Sequence, residues 1–328
     1  MSRLLTYNCH EGYVHLLGKL GFEMDVIDGL PNRATPNWDT RMRPVPDKAR
    51  LIRRDEIQAD SRYDVAICHN ITDLVELKSV DIPKILVLHV SLHARIKEEK
   101  NAPPPSRLRA QLGSYLDMIG ASAVAVSEMK RRSWGLDCDV IRPTADASEY
   151  GGYTGHTSSV LRVANSVIAR PDRFAWPVHV AAVGELPCWL MGYNPEVPGA
   201  RTSRDWEEVK QTYRDYRVLL HTAGPLLDDG YNMAVVEAMA SGMPVVSTES
   251  DGSPIEDGVN GYCSDDPAVL HARLKQLLSN QSLARELGAR ARETALDEFS
   301  VSRFVDGWHR AIEAARRNWQ AHRAPCSA

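Results

Sequence analysis

No CxxC pair, no cluster of histidines and no long apolar run occurs in this chain, and each absence closes off a class of function. The six cysteines, Cys9, Cys68, Cys138, Cys188, Cys263 and Cys326, are scattered. Such spacing argues against structural zinc and against a disulfide framework, and it sets the expectation of a reducing, cytoplasmic environment. No metal site is expected. No apolar stretch reaches the roughly 20 residues that span a bilayer. The opening Met1-Ser2-Arg3-Leu4-Leu5-Thr6-Tyr7 turns polar too soon for a secretory leader. Strong charge of one sign is missing too: the net charge is -4, so no global field recruits nucleic acid or an anionic membrane.

What is there suits an ordinary folded protein. Hydrophobic residues make up 43% of the 328 and charged residues 25%, enough for two cores of average kind. Short apolar runs alternate with longer amphipathic stretches, the pattern of βαβ units on a parallel sheet. Strands are expected at 4–7, 24–28, 65–69, 85–88, 123–126 and 140–142, with a first crossover helix over 12–20 ending at Gly21. Residues 31–46 read as a long proline-broken loop or hairpin. The Gly/Tyr/Ser-rich stretch 147–156 reads as a linker. A second βα series follows, with strands at 159–164, 179–183, 218–221 and 244–247 and a helix at 235–241. Helices at 266–278, 281–299 and 302–319 close the chain. The expected architecture is α/β: two Rossmann-like doubly wound domains, 1–150 and 151–301, followed by a helical segment, 302–328. Such sheets bind ligands at the carboxyl ends of their strands.

The most informative run is Asp229-Gly230-Tyr231-Asn232-Met233-Ala234-Val235-Val236-Glu237, continuing to Gly242-Met243-Pro244-Val245-Val246. A glycine-containing turn opens a short helix of small residues, and Pro244 then begins a buried strand. Such a helix start offers free backbone N–H groups and the positive end of a dipole to an anion such as a diphosphate. Asp229 and Glu237 can face sugar and ribose hydroxyls. The bland alternative is that Asp229 caps the helix and Glu237 is solvated.

This run resembles the acid-x7-acid donor motif of family-4 retaining glycosyltransferases (glycosyl transferases group 1), with Asp in place of the usual first Glu. Gly252, Ile255-Glu256-Asp257-Gly258-Val259-Asn260-Gly261-Tyr262, Leu287-Gly288 and Glu298-Phe299-Ser300 extend the resemblance over residues 218–305. It implies a GT-B fold with a central cleft, a UDP- or GDP-sugar donor held mainly by the second domain, retention of anomeric configuration, and no separate cofactor. It also implies that the terminal helix crosses back to the first domain, with Trp308 and Trp319 as anchors. Gly230, Tyr231, Asn232 and Met233 would then surround the sugar and phosphates, with Asp229 at the sugar and Glu237 on the ribose.

The phosphate grip departs from that family, which places Arg, and Lys five residues later, after the first strand of this domain. Here Asn165 stands at the Arg position, Arg170 at the Lys position, and Arg173 is extra. A guanidinium can hold a diphosphate and offset the charge of a departing nucleotide. Val183-Gly184-Glu185 resembles the family's glycine turn after the second strand, or is a simple turn before Pro187. In the first half, His89 at the end of a strand resembles the family's donor-sugar histidine, with His93 as the fallback. His69 and Asn70 end another strand. His10, Glu11 and Gly12 are candidate acceptor contacts, unless Asn8 merely caps the helix that follows.

The loop 38–43 reads as an acceptor platform or as a packed excursion. The basic stretch 95–109 with Lys130-Arg131-Arg132 reads as a peripheral membrane contact or, more simply, a solvated helix face. The expected activity is transfer of a hexose to an unidentified acceptor hydroxyl. The rival readings are a GT-B epimerase or phosphorylase, a catalytically silent sugar-nucleotide binder, and a modifier of nucleic acid.

Overall fold

The computed structural model describes residues 2–31, 33, 36–57, 63–99, 101–229 and 231–324. The chain divides into two compact units, Met1–Arg142 with Ser302–Ala328, and Pro143–Val301. The boundary falls before the expected residue 150 because the segment leading there is tied to the second unit. Thr144 Oγ1 donates to the carbonyl of Phe299, and Arg292 donates to the carbonyls of Ala147 and Tyr150.

The first unit holds β1 (Arg3–Tyr7), β2 (Glu23–Ile27), β3 (Ala49–Ile52), β4 (Val65–Cys68), β5 (Lys84–Leu88), β6 (Ser122–Ala125) and β7 (Asp139–Val140). They pair in parallel in the order β3-β2-β1-β4-β5-β6-β7. Its helices are α1 (Glu11–Leu17), α2 (Ile71–Glu76), α3 (Leu92–Glu98), α4 (Pro105–Met118) and α5 (Glu128–Trp134). Burial on both faces explains why β4 and β5 read as continuous apolar runs. β3 was not anticipated: it is an edge strand with Arg50 and Leu51 exposed, so it lacks that signal.

In the second unit the strands are β8 (Thr157–Val163), β9 (Cys188–Met191), β10 (Tyr216–His221), β11 (Val245–Ser247) and β12 (Gly261–Cys263), all parallel, in the order β12-β11-β10-β8-β9. Its helices are α6 (Trp176–Val183), α7 (Trp206–Asp215), α8 (Met233–Ser241), α9 (Pro267–Ser279) and α10 (Gln281–Glu298). Alternate residues of one strand feed separate cores: Leu161 and Leu219 pack with α8 and α10, while Val160, Val218 and Leu220 pack with α9.

One expected strand is corrected. Residues 179–183 belong to α6, not to a strand. Pro177 sits in the helix's first turn, where its missing N–H costs nothing, and the buried His179 and Ala182 are three apart. The second strand of this unit is β9.

The last helix, α11 (Val301–Arg323), lies almost wholly in the first unit. There the Phe304 ring meets Tyr13 edge-on, His309 Nε2 donates to the carbonyl of Leu20, and Arg316 pairs with Asp64. Trp308 is fully buried.

Candidate functional site

A doubly wound sheet opens a crevice where its strand order reverses, outside the carboxyl ends of the two strands concerned. In the second unit that point lies between β8 and β10, and in the first between β1 and β4. The loops following these four strands carry most of the candidate residues.

In the second unit, residues 164–175 leave β8 and residues 222–232 leave β10. Ser166, Ala175 and Leu226 adopt left-handed conformations in these loops, and non-glycine strain of this kind concentrates where a loop shape is functionally required. Arg170 reaches the Asn165 carbonyl at 3.5 Å and lies over the Phe174 ring. Arg173 is joined to the β10 loop instead. Its Nε is 3.6 Å from Asp228 Oδ2, and its carbonyl accepts from Gly224 N at 2.8 Å. Asn165, at the position where a cation was looked for, spends its side-chain oxygen on Tyr193 N at 2.8 Å.

Behind these loops lies a cation that the sequence reading overlooked. Arg162 on β8 is 1% exposed and donates to the carbonyls of Leu220 (3.1 Å) and Thr222 (3.0 Å). Burial pulls its guanidinium down to about 10, against the opposing pull of Asp228. A charged residue inside Val160-Leu161-Arg162-Val163 is the signal that could have flagged it. His221 Nε2 meets the Asp229 carbonyl at 3.3 Å, tying the end of β10 to the acid that follows it.

The helix start anticipated after Asp229 is α8. Its cap is Asn232, whose side chain accepts from Val235 N at 3.1 Å, so the cap is not Asp229. Asp229 is buried, Tyr231 packs edge-on against Phe299, and Met233 opens the helix. Glu237 is no solvated side chain: it is 3% exposed and accepts from Tyr213 Oη at 3.0 Å. Gly230 lies outside the described residues.

Gly184 is corrected in place. It ends helix α6, packed near His271, and does not follow a strand. The glycine after the second strand is Gly192, at φ +141°, where an added Cβ would meet the Ala164 carbonyl oxygen at 2.1 Å.

In the first unit the strand ends gather three histidines. His69 follows β4, His89 follows β5, and His10 is the N-cap position of α1. His69 Nδ1 and His89 Nε2 are 2.9 Å apart, and Thr6 Oγ1 is 2.9 Å from His69 Nε2. The His10 ring lies 5.8 Å from that of His89, and Tyr13 meets His89 edge-on at 4.6 Å. Burial holds His69 down at about 3 and His89 well below the usual imidazole range, so both are neutral near pH 7. His93 is exposed on α3 and stands apart.

Asn8 does not cap α1: the N-cap position is His10, no side chain caps it, and the Asn8 amide donates to Asp28 Oδ1. Glu11 is buried and accepts from Asp39 N at 3.3 Å, with its carboxyl raised by burial. Gly12 lies in the first turn of α1. The loop 38–43 is packed: Trp38 is buried and its indole N–H donates to the Arg43 carbonyl. Arg33, also overlooked, reaches Asn70 Oδ1 (3.0 Å), Asp73 (2.9 Å) and Glu76 (3.3 Å). Part of the basic stretch is paired locally, Arg95 with Glu99 and both Arg131 and Arg132 with Glu128. No helix among the described residues is long and apolar enough to cross a membrane.

Comparison with known proteins agrees with this geometry. Residues 160–280 match the family model described as Glycosyl transferases group 1. The poly(ribitol-phosphate) alpha-N-acetylglucosaminyltransferase of Staphylococcus aureus is 32% identical over 85 residues, 24% of this chain and 17% of that one. The D-inositol 3-phosphate glycosyltransferase of Mycolicibacterium vanbaalenii is 26% identical over 292 residues, 86% of this chain and 60% of that one. The chain spans about a fifth of the length of the first relatives it matches. Among solved structures, Anabaena HepE in complex with UDP and glucose superposes with a TM-score of 0.68 at 14% identity, covering 96% of this chain and 100% of that one. WaaG, a glycosyltransferase involved in lipopolysaccharide biosynthesis, superposes at 0.62 with 13% identity, covering 96% and 98%. The fold is therefore GT-B. The chain resembles the glycosyl transferases group 1, most closely in its second unit.

Proposed function

We propose that this protein is a retaining glycosyltransferase that moves a hexose from a UDP- or GDP-sugar to an acceptor hydroxyl. The observation that carries the reading is the α8 start in the second unit. There buried Asp229, the Asn232-capped helix terminus and buried Glu237 lie within one nine-residue stretch, 229–237, after the switch-point strand β10. The first backbone N–H groups of α8 bind the diphosphate, and the helix dipole favours its charge. Glu237, steadied by Tyr213, accepts from the ribose hydroxyls. Arg170 offsets the charge that grows on the departing nucleotide, while Asp229 orients the sugar. The UDP, glucose and UDP-glucose bound in the HepE structures support this choice of donor.

Incubation with UDP-glucose, UDP-N-acetylglucosamine and GDP-mannose, with and without a panel of hydroxyl acceptors, tests the proposal. The expected result is nucleotide release that rises with one acceptor, the product keeping the donor's anomeric configuration by NMR. An inverted product removes retention. Because Asn165 replaces a cation and is occupied by Tyr193, a second reading is a sugar-nucleotide binder. Tight nucleotide binding with no release under any condition establishes that reading instead.

A further inference from the structure

The histidine cluster of the first unit has a proton order that its neighbours dictate. Thr6 Oγ1 lies 2.9 Å from the Ile67 carbonyl oxygen, and two oxygens so close need a hydrogen between them. Only the threonine hydroxyl has one to give. Having spent it on Ile67, Thr6 can only accept at its second contact, so His69 Nε2 must carry a proton. A neutral imidazole then leaves His69 Nδ1 bare. The 2.9 Å contact from His69 Nδ1 to His89 Nε2 is therefore a donation by His89 Nε2–H. His89 is left with a bare Nδ1, since its contact to His69 uses the other ring nitrogen.

From this chain of contacts we infer that Thr6 and His69 are positioning residues that fix His89 as its Nε2–H tautomer. His89 thereby offers Nδ1 as a hydrogen-bond acceptor to a hydroxyl bound at the strand ends of the first unit. The naming of that hydroxyl as a sugar's rests on the transferase reading; the tautomer does not. Burial supports the arrangement by keeping both rings uncharged. The ionisable groups facing the pair are few: His10 disfavours charge on both rings, Lys130 disfavours it on His89, and Asp73 contacts only the backbone N–H of His69. Tyr13 contributes an edge-on ring against both. A histidine held by a free-standing hydroxyl could flip between tautomers. Here the Ile67 carbonyl removes that freedom, because it takes the only proton Thr6 has.

Ring-nitrogen NMR of the full chain, with 15N-labelled histidine and assignment by the His69→Asn and His89→Asn variants, reads the proton positions directly. The wild type is expected to show His69 and His89 as neutral Nε2–H tautomers, unchanged from about pH 7.5 down to about pH 5.5. Thr6→Val keeps the side-chain shape and removes the acceptor, so both rings should become tautomer mixtures. Thr6→Ser should restore the wild-type pattern. With UDP-glucose as donor, Thr6→Val should lower kcat about tenfold while KM stays within about twofold, and Thr6→Ser should recover both. His89 protonated at Nδ1 in the wild type, or a pattern unmoved by Thr6→Val, overturns the inference. If the predicted tautomers are found but no sugar nucleotide is turned over, the positioning stands and it is the transferase reading that fails.

Discussion

Tyr213 Oη donates to Glu237 Oε2 at 3.0 Å, a hydrogen bond from α7 to α8 made between two side chains almost wholly removed from water. A carboxylate so enclosed is held in one orientation and cannot serve as a generic surface charge. The pair thus converts an acid on a helix into a fixed acceptor beside the strand-end loops.

The first expected outcome follows from that pair. Glu237→Ala should weaken UDP or GDP binding by about 1–3 kcal/mol, the scale of a lost hydrogen bond to a charged group. Tyr213→Phe should weaken it less, by about 1 kcal/mol, because the carboxylate remains but loses its brace. Titration calorimetry on the two variants checks the order. Equal, unchanged affinities would place Glu237 outside the nucleotide site.

Arg170 and Arg173 should behave differently. Arg170 makes a long contact to the Asn165 carbonyl and lies over the Phe174 ring, both within its own loop. Arg170→Ala should lower kcat about a hundredfold, as for loss of a group stabilising a leaving anion, with little change in melting temperature. The Arg173 side chain is tied to the β10 loop through Asp228, whereas Gly224 holds only its backbone carbonyl. Arg173→Ala should therefore cost stability of about 1–3 kcal/mol, seen in urea unfolding. If instead Arg173→Ala carries the kinetic loss and Arg170→Ala is silent, the two arginines have been assigned the wrong way round.

How far the sequence alone could go is clear from particular residues. Most strands of both sheets, though not β3, β9 or β12, were visible because buried parallel strands read as apolar runs, and the α8 region was visible because a glycine turn, small helix residues and a proline follow in order. Three things were not. The segment Val178-His179-Val180-Ala181-Ala182-Val183 fits strand and helix alike, and only Pro177 in the first turn separates them. Mistaking it for a strand moved the expected glycine turn from Gly192 to Gly184. The order β9-β8-β10 and the contacts of Thr6, Arg33 and Arg162 are tertiary relationships, made between residues 60 or so positions apart in two of the three cases. No local pattern encodes them.

Acid should destabilise the second unit through His179. This ring is 4% exposed, stacks on Trp176 at 4.6 Å, and is held down at about 3 by burial and by Arg162. Unfolded, it titrates near the ordinary imidazole value of about 6.5. Between those two values the unfolded chain binds a proton that the folded chain refuses, so stability rises with pH and is fully present above about 6.5. His179→Phe keeps the stacking and removes the proton. The difference in unfolding free energy between wild type and variant should then change by about 1.4 kcal/mol per pH unit from about pH 4 to pH 6. Taking the difference cancels Asp73, whose carboxyl burial raises to about 6 and which works in the opposite sense. A pH-independent difference would mean that His179 is protonated in the folded state.

The close approach of the two loops at the β8–β10 switch point depends on Gly224. Its N–H donates to the Arg173 carbonyl at 2.8 Å, and a Cβ built there would lie 2.0 Å from the Asp172 carbonyl oxygen. Backbone cannot yield as a flexible side chain can, so Gly224→Ala must drive residues 172–173 away from the β10 loop. The Arg173–Asp228 contact opens with it, and the surface that would receive the diphosphate loses its shape. The damage is local, since both loops lie outside the sheet. Gly224→Ala is therefore expected to lower nucleotide affinity at least tenfold while costing about 1–3 kcal/mol of global stability. Gly113→Ala in α4 is the matched control. Its nearest neighbour for a new Cβ is 4.0 Å away, so helix propensity should make it neutral or stabilising by up to about 1 kcal/mol, with nucleotide affinity unchanged. Calorimetry and urea unfolding on both variants separate the two effects. Wild-type affinity in Gly224→Ala would show that the nucleotide does not use these loops at all.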